Sequence, residues 1–333
     1  MSRYRVVITD FLNDGLELEK SLFGDLADIV ALDAYHEDEL VGHIEDADAV
    51  LVYHNLGLSD QSIRRLTRCK IIVRAGVGID NVDCAVAREV GIPVVNVPDY
   101  GTEEVADSAI GLTLALTRGI APLNSLLQQG ERLWSPEHVY PLQRLRGQVF
   151  GIVGLGRIGM AAAIRAKALG MHVKFYDPHR DDGYDKAVGV ERTETLQELV
   201  ASAYVVSLHC PLTPETHHLI TAETIANMPP RSFLINTARG AVVDTSAIPP
   251  AIASGHLAGA GIDVLANEPP ADDDPLIVAW RDPNHPAHHR VLVNPHAAFY
   301  SQQGLQDMRE KAAQAVRRAL VGEPLRNVVN QVS

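Results

Sequence analysis

The fold of this chain is decided by the stretch Val149-Phe-Gly-Ile-Val-Gly154-Leu-Gly156-Arg157-Ile158-Gly159. Its first five residues are typical of a buried strand, and a helix-forming run, 160–169, follows the last glycine. In the GxGxxG spacing, the first glycine permits a tight turn and the second lets the backbone approach a pyrophosphate. The third lets the helix pack on the strand. The helix N-terminus, at Arg157 and Ile158, offers N–H groups and a positive dipole end to that anion.

An acidic residue completes this dinucleotide-binding pattern. The next strand-like run, His172–Tyr176, leads into Asp177, 18 positions beyond the last glycine of the motif. A carboxylate there accepts hydrogen bonds from the adenosine ribose and repels a 2′-phosphate, so the pattern predicts NAD as the cofactor. Arg180 is near enough to pair with such a phosphate. We interpret it instead as a solvated loop charge, balanced by Asp181 and Asp182.

Short β-branched runs alternate with longer helical stretches on both sides of this unit. Several of the runs are apolar throughout, as in strands that a parallel sheet buries on both faces. The alternation predicts βαβ units and a doubly wound α/β fold. The predicted strands are Tyr4–Thr9, Ala27–Leu32, Ala49–Tyr53, Lys70–Arg74, Pro93–Val97, Val149–Val153, His172–Tyr176, Tyr204–Leu208, Phe233–Asn236, Gly259–Val264 and Arg290–Val293. They form two series, which predict two domains.

The last helix indicates how the two domains are connected. The run Ser301–Val321 begins with a possible serine cap and stops at Gly322. Because it follows the second series, we expect it to return to the first domain. The prediction is therefore a discontinuous substrate domain, 1–100 and 300–333, around an inserted dinucleotide-binding domain, 101–299.

Two further stretches lie between or beside the predicted strands. Ser108–Leu127 reads as one long helix with apolar residues on most faces, and such a helix is buried. Because it lies between the domains, we expect it to pack against a second copy in a homodimer. Ala271–Arg290, rich in Asp, Pro and His, is the nearest to a long irregular loop. We interpret its histidines as solvated loop residues rather than metal ligands.

Composition excludes several kinds of partner. Asp and Glu number 42 against 29 Lys and Arg, a formal charge of −13, so we expect no direct contact with nucleic acid. Cys69, Cys84 and Cys210 show no CxxC spacing, so we expect neither a disulfide framework nor a bound metal. No apolar run approaches the ~18 residues that cross a bilayer, and no signal-peptide pattern opens the chain. The expectation is a cytoplasmic location without membrane contact.

Three polar segments follow later strands, at the sheet edge where open α/β sheets bind ligands. They are Asn236-Thr-Ala-Arg239-Gly240, Gly261-Ile-Asp263-Val-Leu-Ala-Asn-Glu268-Pro269 and Asn294-Pro-His296-Ala-Ala-Phe299. A guanidinium matches a carboxylate, an imidazole transfers protons near neutrality, and an adjacent carboxylate favours the protonated imidazole. Singly, Arg239 could be a surface charge, Glu268 a solvated loop acid and His296 a structural histidine.

Taken together, these segments resemble the D-isomer-specific 2-hydroxyacid dehydrogenases, and the resemblance runs from end to end. Val73-Arg-Ala-Gly76-Val-Gly78-Ile-Asp-Asn-Val-Asp83 looks like the substrate-domain signature of that family. Within the family, the chain looks most like the branch that holds the C-terminal-binding-protein corepressors. The segments that carry this likeness are Tyr53-His54, Ala166-Lys-Ala-Leu-Gly170, Phe175-Tyr-Asp-Pro178, Leu208-His-Cys210 and Pro295-His-Ala-Ala-Phe-Tyr-Ser301.

The resemblance implies a Rossmann domain inserted in a flavodoxin-like substrate domain, with the active site in the cleft between them. It implies NAD-dependent interconversion of a small D-2-hydroxy acid and its 2-keto acid. Arg239 would bind the substrate carboxylate, His296 would be the general acid and base, and Glu268 would orient the imidazole. Implied cofactor contacts are Gly154, Gly156, Arg157, Ile158, Gly159, Asp177, Cys210, Pro211, Thr216, Thr237, Ala238 and Asp263, the last at the nicotinamide carboxamide. Implied substrate contacts are Tyr53, His54, Arg74, Val77, Gly78 and Phe299.

One departure and one alternative follow from the same resemblance. Phe299 stands where the corepressor branch carries tryptophan, so an aromatic wall remains but the indole N–H donor does not. Substrate preference therefore cannot be copied from that branch. The alternative function is an NAD(H)-sensing, corepressor-like interaction protein with weak or no turnover. The intact set of Arg239, Glu268 and His296 favours chemistry, as does the lack of the long flanking tails that such regulators carry.

Overall fold

The computed structural model describes residues 3–130, 134–139 and 141–332, apart from the side chain of residue 138. The strands are β1 (Tyr4–Ile8), β2 (Ala27–Ala31), β3 (Ala49–Val52), β4 (Ile72–Arg74), β5 (Val94–Asn96), β6 (Val149–Val153), β7 (His172–Tyr176), β8 (Glu191–Arg192), β9 (Val205–Leu208), β10 (Ser232–Asn236), β11 (Leu257–Ile262) and β12 (Val291–Val293). The helices are α1 (Glu17–Phe23), α2 (Asp60–Ile63), α3 (Cys84–Glu89), α4 (Thr102–Thr117), α5 (Ile120–Gln128), α6 (Arg157–Ala168), α7 (Tyr184–Val188), α8 (Leu196–Ser202), α9 (Ala222–Ala226), α10 (Ile248–Ala253), α11 (Pro275–Arg281) and α12 (Gln302–Val321). Short 3₁₀ turns lie at Glu37–Leu40, Pro136–His138, Gly240–Val242, Thr245–Ala247 and Pro286–His289.

The chain forms two compact units, of which the first comprises Met1–Gly101 and Tyr300–Ser333. Its sheet has the order β2-β1-β3-β4-β5 with every neighbouring pair parallel, which is the flavodoxin-like order. Alternate residues of each strand enter two apolar clusters, one on each face of the sheet. Helices α1 and α12 cover one of these faces, so the last helix completes the core of the first unit.

The second unit comprises Thr102–Phe299 and contains the other sheet. Its order is β12-β11-β10-β9-β6-β7-β8, again entirely parallel. Counted from β6, this is the Rossmann order with a seventh strand at one edge. Apolar clusters again lie on both faces. The predicted fold of two doubly wound parallel-sheet domains is confirmed, and β8, a two-residue edge strand, is the strand that the pattern did not predict.

The helix predicted at 108–127 is wrong as a single element. Two helices, α4 and α5, replace it, and they meet at an angle of 63°. The break lies at Gly119, whose φ of 67° is left-handed and therefore favours glycine. Among the described residues no single helix is long and apolar enough to cross a bilayer, although α4 and α5 taken together pass that test on length and composition.

The stretch 271–290 is more ordered than predicted. Asp274 caps α11 by accepting hydrogen bonds from Leu276 N and Ile277 N, and the proline that follows Asp274 suits the first helical position. The histidines are not simply solvated, because His288 Nδ1 bonds the carbonyl of Trp280 at 2.8 Å. Gln129, just after α5, bonds His288, and Ser125 of α5 bonds His289. The described part of the chain contains no cluster of three residues that could bind a metal ion.

Candidate active site

The glycine-rich turn after β6 has the geometry that the motif predicts. Gly154 has φ 91°, and a Cβ there would lie 2.7 Å from the backbone nitrogen of Cys210. A Cβ at Gly159 would lie 2.2 Å from the Gly154 carbonyl oxygen, so close packing of α6 on β6 requires glycine at both positions. Gly156 differs, since a Cβ there would meet only the Arg180 guanidinium, at 3.6 Å. The chain's own packing does not require Gly156, which fits a position where a pyrophosphate approaches the backbone.

Asp177 follows β7 and anchors the turn. Its Oδ2 accepts a hydrogen bond from Leu155 N at 2.8 Å, and its Oδ1 accepts one from His179 N at 3.0 Å. Arg180 Nε lies 3.5 Å from the same Oδ2, and its guanidinium lies 5.3 Å from the ring centre of Tyr184. The interpretation of Arg180 as a loop charge balanced by Asp181 and Asp182 is therefore wrong. Because β7 and the turn bring them together, Arg180 pairs with the carboxylate predicted to bind the ribose.

The ends of β9 and β10 place further cofactor candidates side by side. Leu208 pairs with Asn236 in the sheet, so the next residues, His209 and Thr237, emerge at the same edge. Thr237 Oγ1 is buried and has no hydrogen-bond partner within the described residues. Such a hydroxyl suits a polar group of a bound ligand. Ala238 beside it is 9% exposed.

The turn after β9 is ordered by its own hydrogen bonds. Thr216 Oγ1 donates to the carbonyl of Pro211 at 2.6 Å and accepts from Thr213 N at 2.8 Å. Cys210 lies beneath this turn, and burial raises its thiol pKa to about 11. The thiol is therefore protonated at neutral pH, so we assign it a packing role rather than chemistry. The predicted contacts at Arg157 and Ile158 are the first two residues of α6.

Arg239 is brought to the candidate catalytic edge by a close backbone approach. A Cβ at the next residue, Gly240, would lie 1.9 Å from the carbonyl carbon of Leu265, so only glycine allows these two segments to meet. Asn236 fixes the loop before it by donating to the Arg239 carbonyl at 2.9 Å and accepting from Ala238 N at 3.0 Å. The positive charge of Arg239 is one of the influences that lower the pKa of Glu268.

His296 and Glu268 form a short hydrogen bond, with Nδ1 of His296 2.6 Å from Oε2 of Glu268. The other carboxylate oxygen accepts from Leu265 N at 2.8 Å, which fixes the orientation of the carboxylate. Burial alone would raise the pKa of Glu268. The hydrogen bond and the charge of His296 outweigh it and hold that pKa below its ordinary value. An ionised Glu268 accepts from Nδ1–H, which fixes the orientation of the imidazole.

Sequence reasoning missed the structural part that Asp263 plays in this arrangement. His296 has a left-handed backbone, φ 50°, which is unfavourable for a residue other than glycine. Asp263 stabilises that turn, since its carbonyl accepts from His296 N at 2.8 Å and its carboxylate accepts from Ala297 N and Ala298 N. Burial raises the pKa of Asp263 against the influence of these bonds. The ring of Phe299 lies 6.2 Å from that of His296, nearly perpendicular to it.

The first unit places the remaining predicted residues at the carboxyl edge of its own sheet. β4 ends at the buried Arg74, and Val77 and the half-buried Gly78 lie in the turn that follows. His54 is half-buried and its ring lies 4.7 Å from that of Phe11. The Tyr53 side chain, expected to face the pocket, instead has no exposed surface and stacks on Phe11 in the core. It follows β3 directly, so its ring points into the sheet's packing face.

Comparisons with known proteins agree with this geometry. Residues 110–298 match the model of the D-isomer specific 2-hydroxyacid dehydrogenase NAD-binding domain. D-3-phosphoglycerate dehydrogenase of Methanocaldococcus jannaschii is 33% identical over 326 residues, 98% of this chain and 59% of that protein. C-terminal-binding protein 1 of Caenorhabditis elegans is 31% identical over 312 residues, 92% of this chain and 42% of that protein. The chain thus spans about half the length of these two relatives.

A solved structure extends the match to the whole fold. D-lactate dehydrogenase from Aquifex aeolicus, complexed with NAD and lactic acid, has a TM-score of 0.85 and 27% identity. The match covers 96% of both chains. The predicted family resemblance is confirmed, a C-terminal-binding protein is among the relatives, and the second unit carries the family's NAD-binding domain. The chain belongs to the D-isomer specific 2-hydroxyacid dehydrogenase family.

Proposed function

We propose that this protein interconverts a small D-2-hydroxy acid and its 2-keto acid, with His296 as the proton donor and acceptor. The observation that carries the proposal is the 2.6 Å hydrogen bond between His296 and an ionised Glu268. A histidine oriented by a carboxylate is the group that acid–base chemistry at a carbonyl oxygen needs near neutral pH. Proximity of Arg239 to the same carboxylate supplies the second element, a cation for the substrate carboxylate.

In the proposed reaction Arg239, His296 and Glu268 have separate roles. NAD(H), when bound, supplies or accepts the hydride at C2 of the substrate. Arg239 binds the carboxylate of the substrate and polarises its keto oxygen. As negative charge develops on that oxygen, Nε2–H of His296 donates a proton to it. In the reverse direction Nε2 accepts the hydroxyl proton, and Glu268 stabilises the imidazolium that forms.

The cofactor would be bound by the second unit. We assign the pyrophosphate to the backbone at Gly154, Gly156 and the start of α6, because Gly156 has space beside it that packing does not use. Asp177 would accept from the adenosine ribose. Thr237, whose hydroxyl is buried without a partner in the described structure, would meet a polar group of the cofactor. Asp263 would accept from the nicotinamide carboxamide while it stabilises the His296 turn.

Substrate contacts from the first unit are His54, Arg74 and the backbone of Val77 and Gly78. Phe299 would form the aromatic wall beside the imidazole. Tyr53 can contribute only its backbone, because its side chain is buried. A phenyl wall without an indole donor favours a small or apolar substituent on the keto acid over one that must accept a hydrogen bond there.

A regulatory function remains the second candidate, since one relative is a C-terminal-binding protein. One assay separates the two. NADH absorbance is followed after addition of glyoxylate, pyruvate, hydroxypyruvate, phosphohydroxypyruvate or a longer apolar keto acid. Turnover of at least one of them that is lost in His296→Gln supports the enzyme. NADH binding without turnover of any of them would contradict the proposed chemistry and favour a nucleotide-sensing role.

We also propose a homodimer and a cytoplasmic location. The support for the dimer is the exposure of large apolar side chains in and after α5, since Ile120 is 60% exposed, Leu127 is 39% exposed and Trp134 is 89% exposed. Exposed apolar side chains are candidates for interaction sites, and a second copy in two-fold symmetry is the commonest partner. The cysteines support a reducing compartment, since none of the three forms a disulfide.

A further inference from the structure

The carboxyl edge of the first unit's sheet contains a hydrogen-bond network that the chemistry described so far does not use. At its centre is Asn81, in the loop between β4 and α3. Its Nδ2 donates to the carbonyl of Tyr53 at 2.9 Å and to that of Leu56 at 2.8 Å. Its Oδ1 accepts from Nε of Arg74 at 3.3 Å. Both amide hydrogens and the amide oxygen are therefore used, and they join two separate segments.

The first of these segments carries His54. Asp10, at the end of β1, fixes the same segment from the other side, because its carboxylate accepts from Tyr53 N and from Asn55 N, each at 2.7 Å. The carboxylate has no exposed surface. The peptide units on both sides of His54 are thus hydrogen-bonded by the side chains of Asn81 and Asp10, which come from other segments of the chain. The positions of these peptide units are therefore set before a substrate binds.

The second segment carries Arg74. Its guanidinium Nη1 donates to the Ala75 carbonyl at 3.2 Å and lies 1.5 Å from the place where a Cβ of Gly76 would be. Gly76 has φ 152°, a backbone conformation that favours glycine. Arg74 is only 7% exposed, and its hydrogen bonds to Asn81 Oδ1 and to the Ala75 carbonyl orient its guanidinium.

The turn at Val77 is fixed in the same manner. Asn96, at the end of β5, donates from Nδ2 to the Val77 carbonyl at 2.7 Å, and Val97 N donates to the Gly76 carbonyl at 3.0 Å. The half-buried Asn81 amide uses both of its hydrogens and its oxygen in hydrogen bonds, and an amide satisfied in this way makes a polar network rigid. The edge that offers His54, Arg74 and the 77–78 backbone is therefore built as one unit, in which Asn81 bonds both flanking segments.

We propose that Asn81 is a positioning residue for the dehydrogenase reaction. Its hydrogen bonds hold the Arg74 guanidinium and the His54 segment in the relative positions that substrate binding needs. This inference rests on the proposed function, in which those groups contact the keto acid. Asn81 itself touches neither substrate nor cofactor. Removing its amide leaves the second unit unchanged, so its loss alters substrate binding and orientation while NADH affinity is kept.

The test compares Asn81→Ala and Asn81→Asp with Arg74→Gln and with the matched control Asn227→Asp. Asn227 is exposed and lies at the end of α9, which leads into the amino end of β10, so its change alters charge but not the catalytic edge. Glyoxylate and hydroxypyruvate are the probes, with kcat, KM and the NADH dissociation constant measured for each variant. Because displacements of about 1 Å cost up to about 100-fold in rate, we expect Asn81→Ala to lower kcat/KM at least about tenfold, mainly through KM. NADH affinity should stay within about twofold of wild type, as for the control.

A double variant shows whether Asn81 acts through Arg74. If it does, Arg74→Gln with Asn81→Ala loses much less than the product of the two single losses. Asn81→Asp keeps an acceptor for Arg74 Nε but removes both donors to the Tyr53 and Leu56 carbonyls. It also sets a negative oxygen against both carbonyls, so it should lower kcat/KM with NADH affinity kept, as Asn81→Ala does, and it replaces the alanine variant if that one does not fold.

Three results would overturn the inference: activity of Asn81→Ala within twofold of wild type, multiplicative losses in the double variant, or a parallel loss of NADH affinity. Failure of the proposed function gives a different result. A wild-type protein that reduces neither probe, or an Arg74→Gln variant with unchanged KM, contradicts the substrate role of this edge before Asn81 is considered.

Discussion

Replacing Glu268 by glutamine tests the role of the carboxylate beside His296 most directly. The variant keeps the shape of the side chain and an oxygen that can accept, but it removes the negative charge that strengthens the 2.6 Å hydrogen bond. Hydrogen bonds to charged groups are worth about 1.5–3 kcal/mol. The His296 and Glu268 side chains are 26% and 35% exposed, so solvent screening brings the expected loss toward the lower end. A loss of about 1.4 kcal/mol corresponds to a tenfold change in rate.

The sign of the pH effect follows from the ionisation of Glu268. Burial raises its pKa, but the hydrogen bond and the charge of His296 outweigh burial and hold that pKa below the ordinary value, so the carboxylate is ionised throughout the neutral range. Above that pKa the wild type has a charged acceptor and Glu268→Gln has none, whereas below it both side chains are neutral. The ratio of wild-type to variant kcat should therefore be constant in the neutral range and shrink only as the pH falls through the pKa of Glu268.

The assay is NADH oxidation at saturating keto acid between pH 5 and 9, with NADH binding measured in parallel. We expect kcat at neutral pH to fall by about tenfold, since the imidazole loses the charged acceptor that orients it. Glu215→Gln is the matched control, because that carboxylate lies on the exposed surface near His179 and is far more exposed than Glu268. A glutamine variant of Glu268 with near wild-type kcat across this pH range would refute the reasoning.

Four further results are expected. His296→Gln should lower kcat at least about 100-fold with NADH affinity kept within a few-fold, measured by stopped-flow and fluorescence titration, and loss of NADH binding would mean that His296 is structural. NADH should bind more tightly than NADPH in the same titration because of Asp177, while Arg180→Ala should weaken whatever NADPH binding exists; tighter NADPH binding in wild type would contradict the NAD assignment. Light scattering at micromolar concentration should give about twice the 36.1 kDa chain mass, and a stable monomer would contradict the dimer. Arg309→Met should lower the free energy of unfolding by about 3–5 kcal/mol in urea titrations, because it leaves the buried Glu19 carboxylate without its partner; a loss below about 1 kcal/mol would show that the pair adds little.

The strands of the two sheets and their parallel arrangement could be predicted because parallel strands buried on both faces must be apolar throughout. Every predicted strand lies where the structure has one. The structure also contains β8, which was not predicted, because its two residues, Glu191 and Arg192, are too few and too polar to form an apolar run. The break between α4 and α5 was missed for a different reason. Gly119 is a lone glycine in an apolar helical pattern, and its left-handed backbone follows from packing that periodicity cannot show.

Residue types with distinctive chemistry could be predicted at the candidate site, but the contacts that orient them could not. Arg239, Glu268 and His296 follow different strands, and the parallel sheet explains why such segments meet at one edge. Tyr53 and Arg180 were misplaced because the direction of a side chain at a strand end depends on the neighbouring strand. Arg180 turns back to Asp177 only because the turn after β7 brings Nε to 3.5 Å from the carboxylate.

The positioning groups are the least predictable part, because they act through backbone atoms that carry no sequence signal. Asp263 bonds the backbone nitrogens of Ala297 and Ala298, and Asn81 bonds the carbonyls of Tyr53 and Leu56. In each case the partner atoms would be the same for any residue at those positions, so no pairing of residue types reveals the contact. The positions of such groups limit how precisely a site is organised, since a catalytic side chain is only as well placed as the turn that carries it. Activity in this chain should therefore depend on Asp263 and Asn81 as well as on the residues that touch the substrate.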